Sequence, residues 1–466
     1  MSDAIIDALR AELGDIVRTD ADILQARRHD YWAASHLKEW LNVAMESPRC
    51  VVQPTSTAQV QTLLRYANAH GVAVVPFGLG SGVCGGVLTT NDVVLLDLST
   101  MNQTREINEH DLLATFDAGK NGMEAEQEVA ALGLTIGHWP QSIAVSSVGG
   151  WVSTRASGQF STAYGNIEDI VYSIEAVLPN GDLVQLGKAP RAAAGPDLRH
   201  VLMGAEGTMG VVTGVTLSLR KAPEIRAYSA YYADSMPQGI EAQRRIMHAD
   251  WRPPVMRQYD YTEVKRNFPD HAQPDAALLF MVHEGPAVRV EAETEAISRI
   301  ALDAGLAPAS GLVAEEWMGK RNHVVEWKDF FERGVVVDTI EISAPWSKID
   351  AIYDDAVASL RSRDGVVNAS AHSSHAYRSG VNYYFSFAGV CAPDAMEAMY
   401  FDCWDRVMQA TIKHGGGVAH HHGAGRLRKP YLVSDLGVNG VALLRRMKAA
   451  VDPSGIMNPG NLIPDP

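Results

Sequence analysis

Gln141-Ser-Ile-Ala-Val-Ser-Ser-Val-Gly-Gly-Trp-Val-Ser-Thr-Arg-Ala-Ser-Gly-Gln-Phe-Ser-Thr-Ala-Tyr-Gly-Asn-Ile-Glu-Asp-Ile-Val171 is the stretch on which the fold turns. It holds few long charged side chains, many small hydroxyls, and glycines at 149, 150, 158 and 165. Such a composition lets backbone lie close against a flat or phosphorylated ligand. Taken alone, the stretch reads as a set of ligand-binding loops.

Upstream, Cys50-Val-Val-Gln reads as a strand, Pro54-Thr55-Ser56 as the start of a helix with Val60, Leu63, Leu64 and Ala67 on one face, and Val72-Ala-Val-Val75 as a second strand. Pro76-Phe-Gly-Leu-Gly-Ser-Gly-Val-Cys-Gly-Gly86 follows, a loop whose successive N–H groups can curl around a pyrophosphate. Gly80, Gly82 and Gly85 fit the dinucleotide fingerprint in spacing. A Rossmann loop opens a helix, however, and Val93-Val-Leu-Leu-Asp97 is strand-like, so the Rossmann reading is rejected. Downstream, Val171 to Val184 alternates around Asn180-Gly181 as a hairpin, and Gly195 to Thr213 forms a third ligand-like segment. Beyond Arg220, strands and helices mix in longer runs, which suggests an α+β cap on an antiparallel sheet.

These segments resemble the vanillyl-alcohol oxidase (p-cresol methylhydroxylase type) FAD family, and within it the alkyldihydroxyacetonephosphate synthases. The resemblance rests on Val148 to Gly158, Tyr164-Gly-Asn-Ile-Glu-Asp169, the loop from Pro76, Glu206-Gly-Thr-Met-Gly-Val-Val212, Glu341-Ile-Ser-Ala-Pro-Trp346 and Val451 to Asn461. It implies an α+β flavoprotein: an N-terminal helical segment over 1–45, an FAD-binding domain over 46–222, a cap or substrate domain over 223–430, and a C-terminal segment over 431–466 that returns to the FAD domain. By resemblance the cofactor contacts are Pro76, Gly78, Leu79, Gly80, Ser81 and Gly82 in the first loop. In the central stretch they are Gln141, Ser142, Ser146, Ser147, Gly149, Gly150, Ser153, Thr154, Ser157, Gly158, Tyr164, Gly165 and Asn166. Glu206, Gly210, Val211, Val212 and Asn461 complete the set. Non-covalent FAD is expected, because Gly78-Leu-Gly-Ser81 lacks the histidine to which many relatives tether it.

His420-His-His-Gly-Ala-Gly-Arg-Leu-Arg-Lys429 matches the triple-histidine motif of those synthases. Neighbours on a strand point to opposite faces, so three adjacent imidazoles do not converge on one metal, and no metal is expected. Imidazole titrates near neutral pH, which suits acid–base chemistry for His420, His421 and His422, with His421 taken as the residue toward substrate. His138, in Gly-His-Trp-Pro, also matches a family position. Arg257 resembles a substrate-pocket arginine and is the natural clamp for an anion, whereas the plain alternative is a surface ion pair. In His375 to Phe387 the chain departs from the synthases: Asn382 stands where they carry a catalytic tyrosine, with Tyr383 and Tyr384 adjacent. Asn382 and Tyr383 are read as substrate-binding and Tyr384 as a reserve base.

At 466 residues the chain exceeds one comfortable core. Its net charge of −15, with no basic footprint, sets nucleic acid aside. Cys50, Cys84, Cys391 and Cys403 are scattered, which reads as reduced thiols, and no basic-then-apolar leader is visible, so a cytoplasmic setting is expected. The uncharged run Gly71 to Asn91 is broken by Pro76 and the loop glycines, so no integral membrane span is expected. The resemblance implies an FAD-dependent oxidoreductase acting on an alcohol or hydroxy acid. The departure at Asn382 weighs against a redox-neutral synthase reaction, and the dense histidines against a non-catalytic flavin binder. The substrate is a small molecule, anionic if Arg257 is its clamp. The electron acceptor, oxygen or a redox protein, stays open, and a homodimer is one assembly the reading allows.

Overall fold

The computed structural model describes residues 3–465. Its opening helix, Ala4–Leu13, is capped by Asp3, whose carboxylate accepts the Ile5 N–H at 3.0 Å. Two larger sheets and the short pair Leu134–Thr135 with Arg220–Lys221 build the first half. Val17–Arg18, Cys50–Val52, Val94–Asp97 and Val74–Phe77 form a four-stranded sheet in that spatial order, and its last three strands run parallel. Helix Thr57–His70, capped by Ser56, supplies the crossover between Cys50–Val52 and Val74–Phe77. A five-stranded antiparallel sheet follows, ordered Thr104–Asn108, Leu113–Asp117, Val211–Ser218, Val171–Val177 and Leu183–Leu186. Its last two strands are the hairpin expected around Asn180-Gly181, where Gly181 takes φ 84°. One apolar core runs through this half, and Ile456 and Met457 of the returning tail are part of it.

The second half is a seven-stranded antiparallel sheet, ordered Ala307–Ala309, Ile225–Ala233, Ala277–Gly285, Val255–Tyr259, Val366–Ser373, Gly380–Val390 and Val335–Pro345. Strand parity decides which side chains meet. Val381, Tyr383, Phe385 and Phe387 enter the core beneath helices Trp346–Arg361 and Met396–His414, as do Ile340, Ile342, Ala369, Ala371 and Met256. The alternate positions Glu341, His372, Asn382, Tyr384 and Arg257 therefore share the opposite face. Helix Ala33–Trp40 from the N-terminal segment packs into the cap core through Ala33, Ala34 and Leu37. The four cysteines are free, and no helix among the described residues is long and apolar enough to cross a membrane.

Candidate active site

Tyr383 does not share the face that carries Tyr384 and Arg257, contrary to its reading as a substrate-binding residue. Tyr383 is fully buried in the helix-side core against Tyr353 and Phe385, as its odd position requires. Asn382 has the right parity: its Oδ1 accepts the N–H groups of Ser374 (3.0 Å) and His375 (2.8 Å) and so shapes the turn that presents His375, while its Nδ2 is buried without a partner. His138 is also enclosed. It is 0 % exposed beside Trp151, both ring nitrogens are buried without a partner, and burial lowers its pKa to about 3. A neutral imidazole with no opening has no access to a substrate.

The triple-histidine loop leaves helix Met396–His414 through Gly415, in the left-handed region at φ 72°, and bridges to the cap edge, where Gly417 N donates to Ser343 O at 2.7 Å. The loop does not continue as a strand. The Glu341 carboxylate accepts the backbone N–H groups of His420 (2.6 Å), His421 (3.1 Å) and His422 (2.9 Å), so three successive amides curl around one anion. Arg428 Nη1 reaches the same carboxylate at 2.5 Å, and both side chains are 0 % exposed. Burial by itself would raise the Glu341 pKa; the Arg428 charge overrides it, and the carboxyl is held at about 2. The other half grips the same loop through Glu206, which accepts from Ala424 N (2.7 Å) and Gly425 N (2.9 Å), while its backbone carbonyl takes Asn458 Nδ2 and Asn461 Nδ2. Glu206 thus clasps the loop with its carboxylate, and Asn461 ties the tail to it.

Held this way, the imidazoles form a chain. Tyr384 Oη lies 2.7 Å from His421 Nε2; His421 Nδ1 lies 2.6 Å from His420 Nδ1; His420 Nε2 lies 2.6 Å from Tyr377 Oη. Tyr377 Oη is 3.4 Å from Asn166 Oδ1. His375 packs beside this chain, with Nδ1 on Ser161 Oγ at 2.7 Å and Nε2 3.5 Å from Tyr384 Oη. Burial lowers His420 and His422 to about 4, against the pull of Glu341, and drives His421 and His375 well below 6.5. All four are neutral imidazoles at pH 7. A ring nitrogen from each of His375, His420 and His421 lies within 4.8 Å of the others, a grouping that could hold a metal. Both nitrogens of His420 and of His421 are already engaged by hydrogen bonds, so a cation would have to break this chain to bind.

Arg257 lies along the same face. Its Nε donates to Tyr259 Oη at 3.1 Å, and its guanidinium covers the rings of Tyr259 and Trp317 at 5.4 and 5.1 Å. It is 8 % exposed, and among the described residues no carboxylate lies within ion-pair distance of it. The surface ion pair considered from sequence is therefore absent here, and the planar donor fork remains available for an anion. From Tyr259 a stack crosses the sheet: Tyr259 on His372 at 4.9 Å, and His372 on Tyr384 at 4.7 Å, both nearly parallel. These residues are direct cross-strand partners, as is the pair Tyr384 and Glu341. Buried Glu263 holds His372 Nδ1 at 2.7 Å. His372, His375, Tyr377 and Glu263 were not singled out as site residues from sequence. The alternation of Val366–Ser373 and Gly380–Val390 is the signal that would have placed His372 beside Tyr384.

In the first half, the loop after strand Val74–Phe77 fits a pyrophosphate. Among the described residues no partner is found for the backbone N–H groups from Leu79 to Gly85, and Leu79, Gly80, Ser81 and Gly82 are partly exposed. A Cβ on Gly78 would come within 2.4 Å of Ser147 Oγ, so this loop adjoins the start of helix Val148–Thr154, which Ser147 caps at 3.2 Å to Gly150 N. Unpaired amides beside a helix start are a donor set for phosphate. Gly150, Ser153 and Thr154 are partly exposed along that helix, as are Ser142 and Pro76 elsewhere, and Gln141 is exposed and donates through Nε2 to His323 O at 2.6 Å. The remaining residues make contacts within the fold: Gly149 rests on Ala118, Ser146 accepts from Trp151 Nε1 at 2.8 Å, and Gly158 abuts the His138–Trp139 backbone. Ser157 bonds Asn166, Gly165 turns at φ 87°, Tyr164 donates to Glu284 at 2.6 Å, and Gly210, Val211 and Val212 open the central strand.

The FAD binding domain family matches residues 48–187, and the family of FAD linked oxidases, C-terminal domain, matches residues 222–462. The uncharacterized FAD-linked oxidoreductase YgcU of Escherichia coli O157:H7 is 33 % identical over 482 residues, covering 99 % of this chain and 98 % of its own. Glycolate oxidase subunit GlcD of Bacillus subtilis (strain 168) is 27 % identical over 429 residues, covering 89 % of each chain. A solved structure of an alkyldihydroxyacetonephosphate synthase superposes with a TM-score of 0.81 at 23 % identity, covering 98 % of this chain and 86 % of that one, which shows the same fold. With a loop that offers free amides to a pyrophosphate and a cap that carries acid–base side chains, this chain belongs to the FAD-linked oxidases and binds FAD.

Proposed function

We propose that the protein oxidises a small hydroxy acid or related anionic alcohol to the carbonyl compound, with Arg257 holding the anion and Tyr384 receiving the hydroxyl proton. The observation that carries this reading is the shared face: a buried guanidinium free of carboxylates, joined by the Tyr259–His372–Tyr384 stack to a phenol backed by imidazoles. Bound FAD supplies the acceptor for the hydride that leaves the substrate carbon. The chain's own residues handle the proton. Tyr384 Oη takes it from the substrate hydroxyl as the phenol's own proton passes to His421 Nε2, 2.7 Å away. The Arg257 charge favours this step, since it works against the burial that raises the Tyr384 pKa. The glycolate oxidase subunit among the relatives fits this substrate class by name.

Anaerobic mixing with glycolate, D-lactate, D-2-hydroxyglutarate, vanillyl alcohol and an acyl-dihydroxyacetone phosphate tests the reading. Loss of the oxidised flavin absorbance with a hydroxy acid is expected. Exchange of the acyl group with no loss of absorbance would replace oxidation by the redox-neutral reaction. Arg257→Lys is expected to raise KM for the anionic substrate roughly tenfold or more while flavin content stays constant, because an ammonium cannot reproduce a bidentate clamp. An unchanged KM would make Arg257 a structural residue.

The free amides of the first loop and the absence of a histidine in Gly78-Leu-Gly-Ser81 support non-covalent FAD. Purified protein is expected to be yellow and to release its chromophore on heat or acid precipitation. Colour that stays in the pellet would mark a covalent tether.

A further inference from the structure

We propose that Tyr384, His421, His420 and Tyr377 form a proton relay that carries the substrate hydroxyl proton from the cap face to water at the Tyr377 hydroxyl, beside Asn166. The relay rests on the oxidation reading for the source of its proton, but its construction stands on the structure. Three consecutive links of 2.7, 2.6 and 2.6 Å join the four side chains without a gap. The middle link is the telling one. Two imidazoles meet Nδ1 to Nδ1, and a close contact of that kind is stable when one nitrogen carries a proton and the other presents a lone pair.

That requirement propagates along the chain. A neutral imidazole has one N–H and one acceptor nitrogen, so once the middle proton is placed every other donor is determined. Two arrangements are self-consistent. In the outward one, Tyr384 donates to His421 Nε2, His421 Nδ1–H to His420 Nδ1, and His420 Nε2–H to Tyr377 Oη, which leaves the Tyr377 hydroxyl free for Asn166 Oδ1 at 3.4 Å or for water. In the inward one every donor is reversed, and the Tyr384 hydroxyl is left to His375 Nε2 at 3.5 Å. One transfer along the chain converts outward to inward. The substrate O–H bond breaks and its proton joins Tyr384 Oη. The Tyr384 proton moves to His421 Nε2, the His421 Nδ1 proton to His420 Nδ1, the His420 Nε2 proton to Tyr377 Oη, and the Tyr377 proton to water. No electron pair leaves any member, and each ends neutral; the substrate has lost one proton and water has gained it.

The surroundings favour passage over storage. His421 is 8 % exposed and lies near the Arg428 guanidinium, so an imidazolium that stayed there would be desolvated and repelled. The exit differs. Tyr377 and Asn166, whose Oδ1 lies 3.4 Å from the Tyr377 hydroxyl, are both partly exposed. The backbone under the inner members is fixed by Glu341, which leaves their ring nitrogens to one another.

Tyr377→Phe removes the exit oxygen and keeps the ring. The first measurement needs no substrate: NMR of protein with ¹⁵N-labelled histidine. The relay expects one protonated and one bare Nδ1 for His420 and His421, sharing a proton, with the His420 Nε2 signal shifting in Tyr377→Phe. Two Nε2-protonated rings with bare Nδ1 atoms would overturn it whatever the protein oxidises. The second measurement follows flavin reduction by the fastest hydroxy acid of the panel in H₂O and D₂O mixtures. Wild type is expected to give a curved proton inventory, in which several protons move together. Tyr377→Phe is expected to reduce on the order of 10²-fold more slowly, with KM and flavin content held, the low end of what general acid–base catalysis contributes. A wild-type rate and an unchanged isotope effect in Tyr377→Phe would overturn the relay. Should no panel compound reduce the flavin, the oxidation reading fails and the NMR result alone decides the relay.

Discussion

His421→Ala is expected to slow flavin reduction by roughly 10²- to 10⁴-fold, the reach of a lost general base, while the spectrum of the bound FAD stays as in wild type. The size of the effect follows from its place behind Tyr384: the phenol has no other strong acceptor, since His375 Nε2 stands at 3.5 Å against 2.7 Å for His421. Tyr384→Phe should lose a comparable factor. The pair acts as a unit, so the double variant should be little slower than either single one. His422→Ala should stay near wild type, because that ring packs against Tyr384 edge-on at 5.9 Å and holds no hydrogen bond in the chain. Stopped-flow reduction of the four proteins under nitrogen decides the matter. Losses that multiply in the double variant would separate the two residues, and equal near-wild-type rates throughout would remove the loop from the chemistry.

Glu341→Gln is expected to cost about 3–5 kcal/mol of stability, because it leaves the Arg428 guanidinium buried and unpaired. It also weakens the acceptor around which the amides of His420, His421 and His422 curl, so the imidazole chain should lose its alignment even in protein that stays folded. Denaturant unfolding, with flavin release as a second signal, measures the first effect. Its pH dependence has a definite sign. The folded pKa of Glu341, about 2, lies below its ordinary value of 4.5, so the carboxylate's contribution is complete above about pH 4.5 and fades as pH falls through about 2. The gap between wild type and Glu341→Gln should therefore be full at pH 7 and narrow as the solution is acidified toward pH 3. A gap under 1 kcal/mol at pH 7, or one that widens in acid, would mean that Glu341 is protonated or that its partner is elsewhere.

Much of this protein could be read along the chain. The glycine-rich loop from Pro76 to Gly86 is legible by composition, and among the described residues its backbone N–H groups from Leu79 to Gly85 have no partner, as a loop meant for an outside acceptor would leave them. The hairpin at Asn180-Gly181 and the helix behind Ser56 were equally legible, since turn and cap chemistry is local. Parity was legible too and was not used: in Val381 to Phe387 the apolar alternation assigns Tyr383 to the core and Tyr384 to the open face, and reading both as site residues ignored the period of a strand.

The arrangement of the histidines was decided by tertiary structure alone. On an extended backbone three adjacent imidazoles would alternate in direction, and the expectation that one of them faces substrate followed from that rule. Instead they are bent around Glu341, which lies 79 to 81 residues earlier, and Arg428 reaches the same carboxylate across 87. Glu206 grips the following turn from 218 residues away. No local pattern encodes such partners, because a buried carboxylate is stable only where packing brings enough donors to replace its water. Sequence alone determined the glycine-rich loop and the strand faces, whose rules act between neighbours in the chain. Which nitrogen meets which oxygen was decided by the desolvated ion pair on which the loop is wound.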